Sequence, residues 1–595
     1  MERRDNMRWS LNELYTSFDS KEYTLDIEKL DGLIVEFSKW ADEYLKSTDN
    51  PKEKIEKYIG YSIEVSSLFS KLYSFASLTT SVEAKNEVAL QYIDKLIVRH
   101  SDLTKPTVQF QEFIKDVEEL DEIINSSDLL KEHKFYLEQI KEHTKYMLSE
   151  KEEVLISKMT NTGSTAWTNL QNMISSTLLV DINIDGEEKS LPLPAVRNLA
   201  YDKDPVKRKA GYEAELKAYK KIEVSSAAAL NGIKGEVTTL AELRGYKSPL
   251  EETIIKSRMD EETLNAMLTA MKEFLPVFHK YYRKKAELLG YENGLPFYEM
   301  FAPMGEVNRT FTYDEAMEYI VDNFGTFSRK LADFAENAYE KNWLDVEPRE
   351  GKRGGAFCSN LHSIGESRIM SNFSGSFSNM TTLAHELGHG YHGSCLKDET
   401  ILNSGYPMPI AETASIFCET IVVNAALKEA SDEEALSILE SSISDAGQVI
   451  VDIYSRFLFE TELFERRKTH SLSVNELKEI MREAQKEAYG NGLDHSVLHP
   501  YMWLNKPHYY YAERNFYNFP YAFGLLFSKG LYAEYLNRGE AFAKEYDELL
   551  NATGKNNIKD VALRMGIDVG NPEFFRNSLR LIEKDIEKFI ELADK

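Results

Sequence analysis

The stretch NMTTLAHELGHGYHGSC, residues 379–395, decides how the rest of the chain is interpreted. It places His385 and His389 four residues apart, with Glu386 directly after the first histidine. Residues four apart in an α-helix share one face and are offset by about 6 Å along the axis. Both imidazoles can therefore turn a nitrogen towards one ion, and Zn²⁺ accepts nitrogen ligands at about 2.0–2.1 Å.

The glutamate between the histidines has a different place. Glu386 lies about 100° around the helix from His385, beside such an ion rather than on it. From there its carboxylate can reach a metal-bound water, which is the arrangement of the H-E-x-x-H zinc hydrolases. The motif also arises by chance in roughly a few per cent of chains this long, so a solvated helix face is the competing interpretation. Gly388 and Gly390 argue against that alternative, because each costs a helix on the order of 1 kcal/mol relative to alanine.

A third ligand is expected from another segment. The scheme H-E-x-x-H-x-x-G-x-x-H fails, because His392 and Cys395 occupy its glycine and last histidine positions. The alternative is a glutamate on a following helix, and residues 407–427 form a suitable apolar pattern that contains Glu412 and Glu419. These two glutamates are seven apart and share a face. We predict Glu412 as the ligand, Glu419 as an acceptor for a ligand histidine, and a structural role for His392.

Composition limits the classes of function. The net charge of −27 argues against nucleic-acid binding, which usually needs a basic surface. The cysteines Cys358, Cys395 and Cys418 are too few for a disulfide framework and indicate a reducing compartment. The first residues lack the apolar segment of a signal peptide, and no run approaches the ~18 apolar residues of a membrane span. These features predict a cytoplasmic protein without a membrane partner.

Helical periodicity dominates the chain and predicts a mainly α fold. Residues 1–190 are expected to form a helical region that ends in a β-hairpin with its turn at Asp185-Gly186. Residues 191–595 are expected to form the catalytic region. Within it, residues 355–360 (GAFCSN) and 367–373 (SRIMSNF) have the character of short strands just before the histidine helix.

With these residues identified, the chain resembles the thimet oligopeptidase and oligoendopeptidase F family of zinc metallopeptidases, and more closely its bacterial oligoendopeptidase F branch. The resemblance extends over most of the chain. The segments that carry it are HELGHGYHG (385–393), AETASIFCE (411–419), GKRGGAFCS (351–359), RWSLNELY (8–15) and PHYYYAERNFYNFPYAFG (507–524). It implies His385, His389 and Glu412 as zinc ligands, one Zn²⁺ per chain, and Glu386 as the catalytic acid–base.

The resemblance also implies an architecture. Family members are almost wholly helical, with two lobes around a deep substrate channel and a small β-sheet next to the zinc-site helix. The predicted strand at Gly355, Ala356 and Phe357 would then be a sheet edge that pairs with an extended peptide. Such pairing is physically reasonable because it depends on the backbone of the peptide and not on its side chains.

The aromatic segment near residue 510 is expected to complete the chemistry. A tetrahedral intermediate needs hydrogen-bond donors at its oxyanion, and the resemblance assigns that role to His508, Tyr517 and Tyr521. The spacing leaves Tyr511 as a further candidate at the substrate, places Gly524 where the family has its last tyrosine, and ranks His499 lower. Packing of these aromatic rings in the core is the competing interpretation.

The predicted function is a zinc-dependent oligoendopeptidase that cleaves internal bonds of short unfolded peptides, with Glu386 activating a zinc-bound water. Two alternatives remain at this point. An exopeptidase would need a cation to hold a peptide end, for which Lys352 or Arg353 is available in the sequence. A non-catalytic peptide-binding scaffold would not need the intact Glu386. The sequence does not predict an oligomeric state.

Overall fold

The structure is a computed structural model that describes residues 7–305 and 309–595. About 71% of the chain is helical and 5% is strand. The predicted mainly α fold class is therefore confirmed.

The helices before the hairpin contribute to two different apolar cores. The first seven enclose a buried apolar core between Leu14 and Leu137, whereas α9 packs against α12 in the following region. The predicted boundary near residue 190 stays a prediction. The helices are α1 (Lys21–Tyr44), α2 (Pro51–Val82), α3 (Glu87–Asp102), α4 (Thr104–Asp116), α5 (Leu120–Asn125), α6 (Asp128–Glu132), α7 (Lys134–His143), α8 (Glu150–Thr162) and α9 (Ser164–Ser176).

The later helices enclose a second and larger apolar core, which runs from Leu178 to Leu592. They are α10 (Leu193–Asn198), α11 (Pro205–Tyr219), α12 (Glu223–Arg244), α13 (Pro249–Lys256), α14 (Glu261–Leu288), α15 (Tyr313–Phe327), α16 (Arg329–Glu340), α17 (Phe377–Cys395), α18 (Met408–Ala411), α19 (Thr413–Glu429), α20 (Asp432–Gly447), α21 (Ile453–Arg467), α22 (Val474–Tyr489), α23 (Met502–Asn505), α24 (Phe519–Arg538), α25 (Glu540–Ala552), α26 (Ile558–Leu563) and α27 (Pro572–Ala593). The two cores correspond to the two lobes that were predicted.

The predicted hairpin is present. Strands β1 (Leu179–Ile184) and β2 (Glu187–Pro192) are antiparallel, and Ile184 pairs with Glu187 across a two-residue turn. Both turn residues have positive φ, 55° for Asp185 and 86° for Gly186. This conformation matches the twist of hairpin strands and is favoured by an Asp-Gly pair.

A three-stranded sheet lies where the two lobes meet. It contains β3 (Leu344–Asp345), β4 (Phe357–Leu361) and β5 (Glu366–Met370) in the order β3-β5-β4, so one side of β4 is a free edge. Leu361 belongs to the first core and Ile369 to the second. The predicted strand began too early, because Gly355 has a φ of 82° and, with Ala356, forms the loop before β4.

A groove of about 280 Å³ runs along β4 between the lobes. Tyr73, Ser77 and Ser81 of α2 line one side, and Phe357 and Cys358 of β4 line the other. The free edge of the sheet therefore faces a groove, and the pairing of β4 with an extended substrate stays a prediction.

Helix α17 is held against α19 by a very close backbone contact. A Cβ atom on Gly388 would lie 2.5 Å from the carbonyl oxygen of Ala414 and 2.6 Å from the Cα of Ser415. Gly390 faces the ring of Phe334, where a Cβ would lie 2.8 Å from Cζ. Both glycines therefore mark close contacts on two sides of α17.

We expected no segment long and apolar enough to span a membrane, and this expectation is wrong for one segment, Met408–Glu429. It passes that test by length and composition, which is weak evidence because core helices pass it too. Of its most apolar window, 56% is buried inside the structure, between α17 and α24. We therefore interpret it as a core helix.

The contact at Gly388 can be tested by substitution. Gly388→Ala should destabilise the protein by about 1–3 kcal/mol, because the added methyl group would overlap the backbone of α19. Gly325→Ala is the matched control, since Gly325 also lies in a helix and its Cβ would meet only Ala332, at 3.9 Å. That control should be neutral or stabilising by up to about 1 kcal/mol. Thermal unfolding measures both, and an unchanged melting temperature for Gly388→Ala would contradict the contact.

Candidate functional site

Three side chains meet where α17 approaches the junction of α18 and α19. The Nε2 atoms of His385 and His389 lie 3.2 and 3.4 Å from Oε2 of Glu412. One donor atom from each of the three residues lies within 4.8 Å of the others. Two histidines from one face of a helix and a carboxylate from the next helix thus converge on one point.

This donor set fits a divalent metal ion. Tetrahedral bonds of about 2.0–2.1 Å place neighbouring ligand atoms roughly 3.3 Å apart, which agrees with the two distances to Glu412. Two imidazole nitrogens and one carboxylate oxygen are also a common ligand set of catalytic zinc, which keeps one position open. Burial raises the pKa of Glu412, but its hydrogen bonds to His385 and His389 outweigh that effect and lower it.

Glu419 contacts the other side of the first histidine. Its Oε2 lies 3.1 Å from Nδ1 of His385, two helical turns from Glu412 on α19. Burial lowers the pKa of His385, but the bonds to Glu412 and Glu419 outweigh that effect and raise it to about 10. A carboxylate on Nδ1 orients the ring and directs Nε2 towards the ligand position.

Glu386 lies beside the cluster and is buried, with 7% of its surface exposed. Burial raises the pKa of Glu386, while His385 and His389 act in the opposite direction. The backbone of Cys358 on β4 also lowers it. The acid is thus placed between the histidine cluster and the free-edge strand of the sheet.

His508 follows α23 and is also buried. Its Nε2 lies 2.8 Å from Nδ2 of Asn518, and the Oδ1 of the same amide lies 3.2 Å from Nη1 of Arg456. Because arginine only donates, the amide oxygen must face Arg456 and the amide NH₂ must donate to Nε2 of His508. The neutral ring consequently carries its proton on Nδ1.

The protonation state of His508 agrees with that network. Burial and the charges of Arg456, Lys234, Lys506 and Arg514 lower the pKa of His508 to about 3. The imidazole therefore remains neutral at physiological pH and presents an N–H donor at Nδ1.

Tyr517 and Tyr521 form a pair close to this histidine. Their hydroxyl oxygens are 3.2 Å apart, and the ring of Tyr517 lies 5.8 Å from the ring of His508. Burial raises the pKa of Tyr521, and Tyr517 and Glu412 raise it further. Tyr521 therefore keeps its proton near the ligand cluster, and can donate it in a hydrogen bond.

Other predicted residues lie elsewhere. Tyr511 contacts Arg514 and lines a separate cavity that also contains His143. His499 is buried 3.6 Å from Glu215 and lines another cavity. His392 is buried, bonds the hydroxyl of Thr553 and stacks on Tyr406, and burial lowers its pKa to about 3. The structure does not bring these residues to the histidine cluster.

Gly524 stands where the family has its last tyrosine, and it packs against Glu412. A Cβ there would lie 3.2 Å from Cβ of Glu412 and 3.2 Å from the carbonyl of Pro409. A side chain at this position would press on Glu412 and on the backbone of Pro409, so the glycine suits this close packing.

The loop before β4 is fixed in place. The backbone N–H of Arg353 donates to the carbonyl of Ser81 at 2.8 Å, and Asn372 donates to the carbonyls of Arg353 and Gly355 at 3.0 Å. Phe357 turns its ring towards Trp9 in the first lobe, 6.4 Å between centroids. Of the predicted substrate-binding residues, Phe357 lines the groove along β4, whereas Gly355 and Ala356 belong to the loop that leads into it.

Sequence reasoning missed Arg456 and Asn518. Neither belongs to a motif, and Arg456 lies on α21, 52 positions before His508. Asn518 stands inside the quoted aromatic segment, where its polar side chain between two aromatic residues was the available signal.

Comparison with known proteins establishes the class. The model of peptidase family M3 matches residues 198–581, and the oligopeptidase F model matches residues 115–178. The first match covers more than half of the chain, which therefore belongs to peptidase family M3. Membership makes it a metallo-oligopeptidase enzyme.

Within the family, the chain is similar to oligoendopeptidase F proteins. It is 23% identical to Oligopeptidase PepF of Bacillus subtilis over 99% of this chain and 87% of the relative. It is also 23% identical to an oligoendopeptidase F homolog of Lactococcus lactis over 99% and 98% of the two chains.

Solved structures share the fold. Oligoendopeptidase-F from Enterococcus faecium matches with a TM-score of 0.71 and 18% identity, over 95% of this chain and 98% of that chain. A protein of Chlamydophila abortus matches with a TM-score of 0.85 and 20% identity, over 99% of both chains. The resemblance inferred from the sequence is thus confirmed.

The orientation of His508 can be tested by Asn518→Asp. A carboxylate at this position would accept a proton from Nε2, so the pKa of His508 should rise from about 3 and the Nδ1 tautomer should be lost. Imidazole ¹⁵N NMR as a function of pH measures both, with His508→Gln assigning the signal. His392 provides an internal control that should keep its shifts, and an unchanged His508 signal would refute the proposed network.

Proposed function

We propose that this enzyme is a zinc-dependent oligoendopeptidase that hydrolyses internal bonds of short, unfolded peptides. The convergence of His385, His389 and Glu412, with Glu386 beside them, carries the proposal. Zinc is favoured by the donor set and by a family that implies a metal. The oligoendopeptidase F relatives support the substrate class.

Glu386 is proposed to move the proton in the reaction. His385, His389 and Glu412 would hold the ion, which when bound supplies Lewis-acid chemistry that polarises a peptide carbonyl and acidifies water. Glu386 takes a proton from the attacking water on its carboxylate and passes it to the nitrogen of the leaving amine. Burial favours the protonated acid, which makes Glu386 a stronger base than an exposed glutamate.

His508, Tyr517 and Tyr521 are proposed to stabilise the oxyanion. The neutral ring of His508 presents Nδ1–H, and Tyr521 keeps its hydroxyl proton close to Glu412. Fixed donors at a developing negative charge contribute about 10²–10³ in rate each, because they need no reorganisation during the reaction.

The free edge of β4 is proposed to bind the peptide backbone. The groove beside it is bounded by α2, and Cys358 of β4 also contacts Glu386 through its backbone. A peptide added to this edge would pass next to the catalytic acid. A folded protein could not supply an extended strand there, which supports a preference for short, unfolded chains.

The two alternatives differ in support. An exopeptidase would need a free cation near β4, and Arg353, which is exposed and lines the groove, keeps that alternative open. Lys352 does not fit that role, because it is buried and pairs with Asp345 at 2.8 Å. Its Nζ also donates to the carbonyls of Asp345, Glu347 and Ser371. A non-catalytic scaffold would not need the buried acid Glu386.

A cytoplasmic location is proposed with this function. Cys358, Cys395 and Cys418 are all free thiols, which is expected in a reducing compartment. Short peptides are the proposed partners, and the net charge of −27 argues against nucleic acids.

The role of Glu386 can be tested by Glu386→Gln. This variant should retain one zinc ion per chain and lose at least about 10²-fold in kcat, because the amide cannot accept the proton. Peptide cleavage and metal analysis measure the two effects, and a chelator should abolish cleavage by the wild type. Glu548→Gln, on the exposed surface of α25, is the matched control and should retain wild-type cleavage. Full activity of Glu386→Gln would remove the mechanism.

The preference for short chains predicts a dependence on substrate folding. An internally quenched peptide of about ten residues should be cleaved, whereas a stable folded protein that contains the same sequence should resist. The same protein after denaturation provides the control for sequence. Equal cleavage rates for the peptide and the native protein would contradict binding of an extended strand at β4.

A further inference from the structure

A cavity of about 590 Å³ lies beside the segment that leads into His508. Arg197 of α10, Glu215 of α11, Asp445 of α20, and His499 and Lys506 of the later segment line its walls. This volume is in the range of ~300–1,000 Å³ found for small-ligand sites. The residues assigned above to the metal, the proton and the oxyanion do not line it.

Most of the charged groups in this cavity already have partners. Asp452 pairs with Arg456, Glu440 lies 2.6 Å from Lys285, and Glu215 accepts a bond of 2.7 Å from Tyr219 and lies 3.5 Å from Arg197. These pairs neutralise one another within the wall. Asp445 is a further carboxylate of the wall and has no ion pair among the described residues; burial, Glu419 and Glu440 raise its pKa to about 6.

Lys506 is the cation of this wall that has no such partner. Within the part of the chain that the structure describes, its Nζ has neither a hydrogen bond nor an ion pair to protein. Burial lowers the pKa of Lys506 to about 8, and the charge of Arg456 acts in the same direction. A half-buried ammonium without a partner is costly, and an anionic ligand would offset that cost.

The cavity adjoins the catalytic site at two places. Lys506 is two residues before His508, and its charge contributes to the lowered pKa of that imidazole. On another wall, Glu419 raises the pKa of Asp445, and Glu419 also contacts His385. The cavity therefore lies next to the residues assigned above to the oxyanion and to the orientation of His385.

We propose that the cavity is a carboxylate-binding subsite in which the Lys506 ammonium pairs with a carboxylate of the peptide substrate. This inference rests on the proposed peptidase function and deepens it. The α-carboxylate is the one anion that every unmodified peptide carries, and an acidic side chain has the same chemistry. Anchoring a carboxylate here fixes the distance between that group and the bond that is cut.

Binding can be measured without turnover in the Glu386→Gln variant. Three peptides of one sequence are compared by fluorescence anisotropy: a free acid, a C-terminal amide, and an amide whose last residue is replaced by glutamate. The free acid should bind roughly tenfold or more tightly than the plain amide, because a charge-assisted hydrogen bond is formed. The third peptide shows whether a side-chain carboxylate can substitute for the α-carboxylate.

Adding Lys506→Met should reduce the difference between acid and amide to less than about twofold, whereas Lys506→Arg should retain most of it. Lys544→Met on the exposed surface of α25 is the matched control and should keep the full difference. Melting temperatures confirm that each variant is folded.

Two results would overturn the inference. One is equal binding of free acid and amide by the Glu386→Gln protein. The other is loss of the difference in Arg353→Gln but not in Lys506→Met, which would place the carboxylate beside β4. Failure of the proposed function gives a separate result, since wild-type protein loaded with zinc would then cleave none of the peptides.

Discussion

The close backbone contact between α17 and α19 at Gly388 is the constraint on which the site depends. Glu412 can reach both imidazoles only if the two helices approach more closely than side chains normally allow. Gly524 permits a similar approach of α24 from another side. Two glycines therefore flank the carboxylate of Glu412, and the spacing of the His385, His389 and Glu412 side chains follows from backbone packing.

The opposite wall of the site depends on a chain of hydrogen bonds. Arg456 fixes the amide of Asn518, and the amide fixes His508 as the Nδ1 tautomer. Since each group has only one compatible partner atom, Arg456 determines the tautomer of His508 through two successive hydrogen bonds. A histidine in this position acts as a neutral donor, whereas a charged imidazolium would need a nearby carboxylate.

Local patterns in the sequence predicted much of the fold and part of the site. The Asp185-Gly186 hairpin, the helical character of the chain and the pairing of His385 with His389 follow from short-range rules. The start of β4 was wrong because Gly355 adopts a positive φ that its sequence alone does not require. Arg456 and Lys506 were missed because their significance depends on tertiary contacts with Asn518 and with the large cavity.

The charged groups around His385 differ in sign from those around His508. The chain as a whole carries −27, and glutamates surround His385. Around His508 the charges are instead Arg456, Lys234, Lys506 and Arg514, which keep its imidazole unprotonated. Because opposite fields act on two histidines of one site, one is suited to an ion and the other to an oxyanion. Of these cations, Arg456 pairs with Asp452 and Lys234 with Glu460, which leaves Lys506 and Arg514 without an ion pair among the described residues. The unpaired charge beside His508 is therefore cationic, and it would attract a substrate carboxylate.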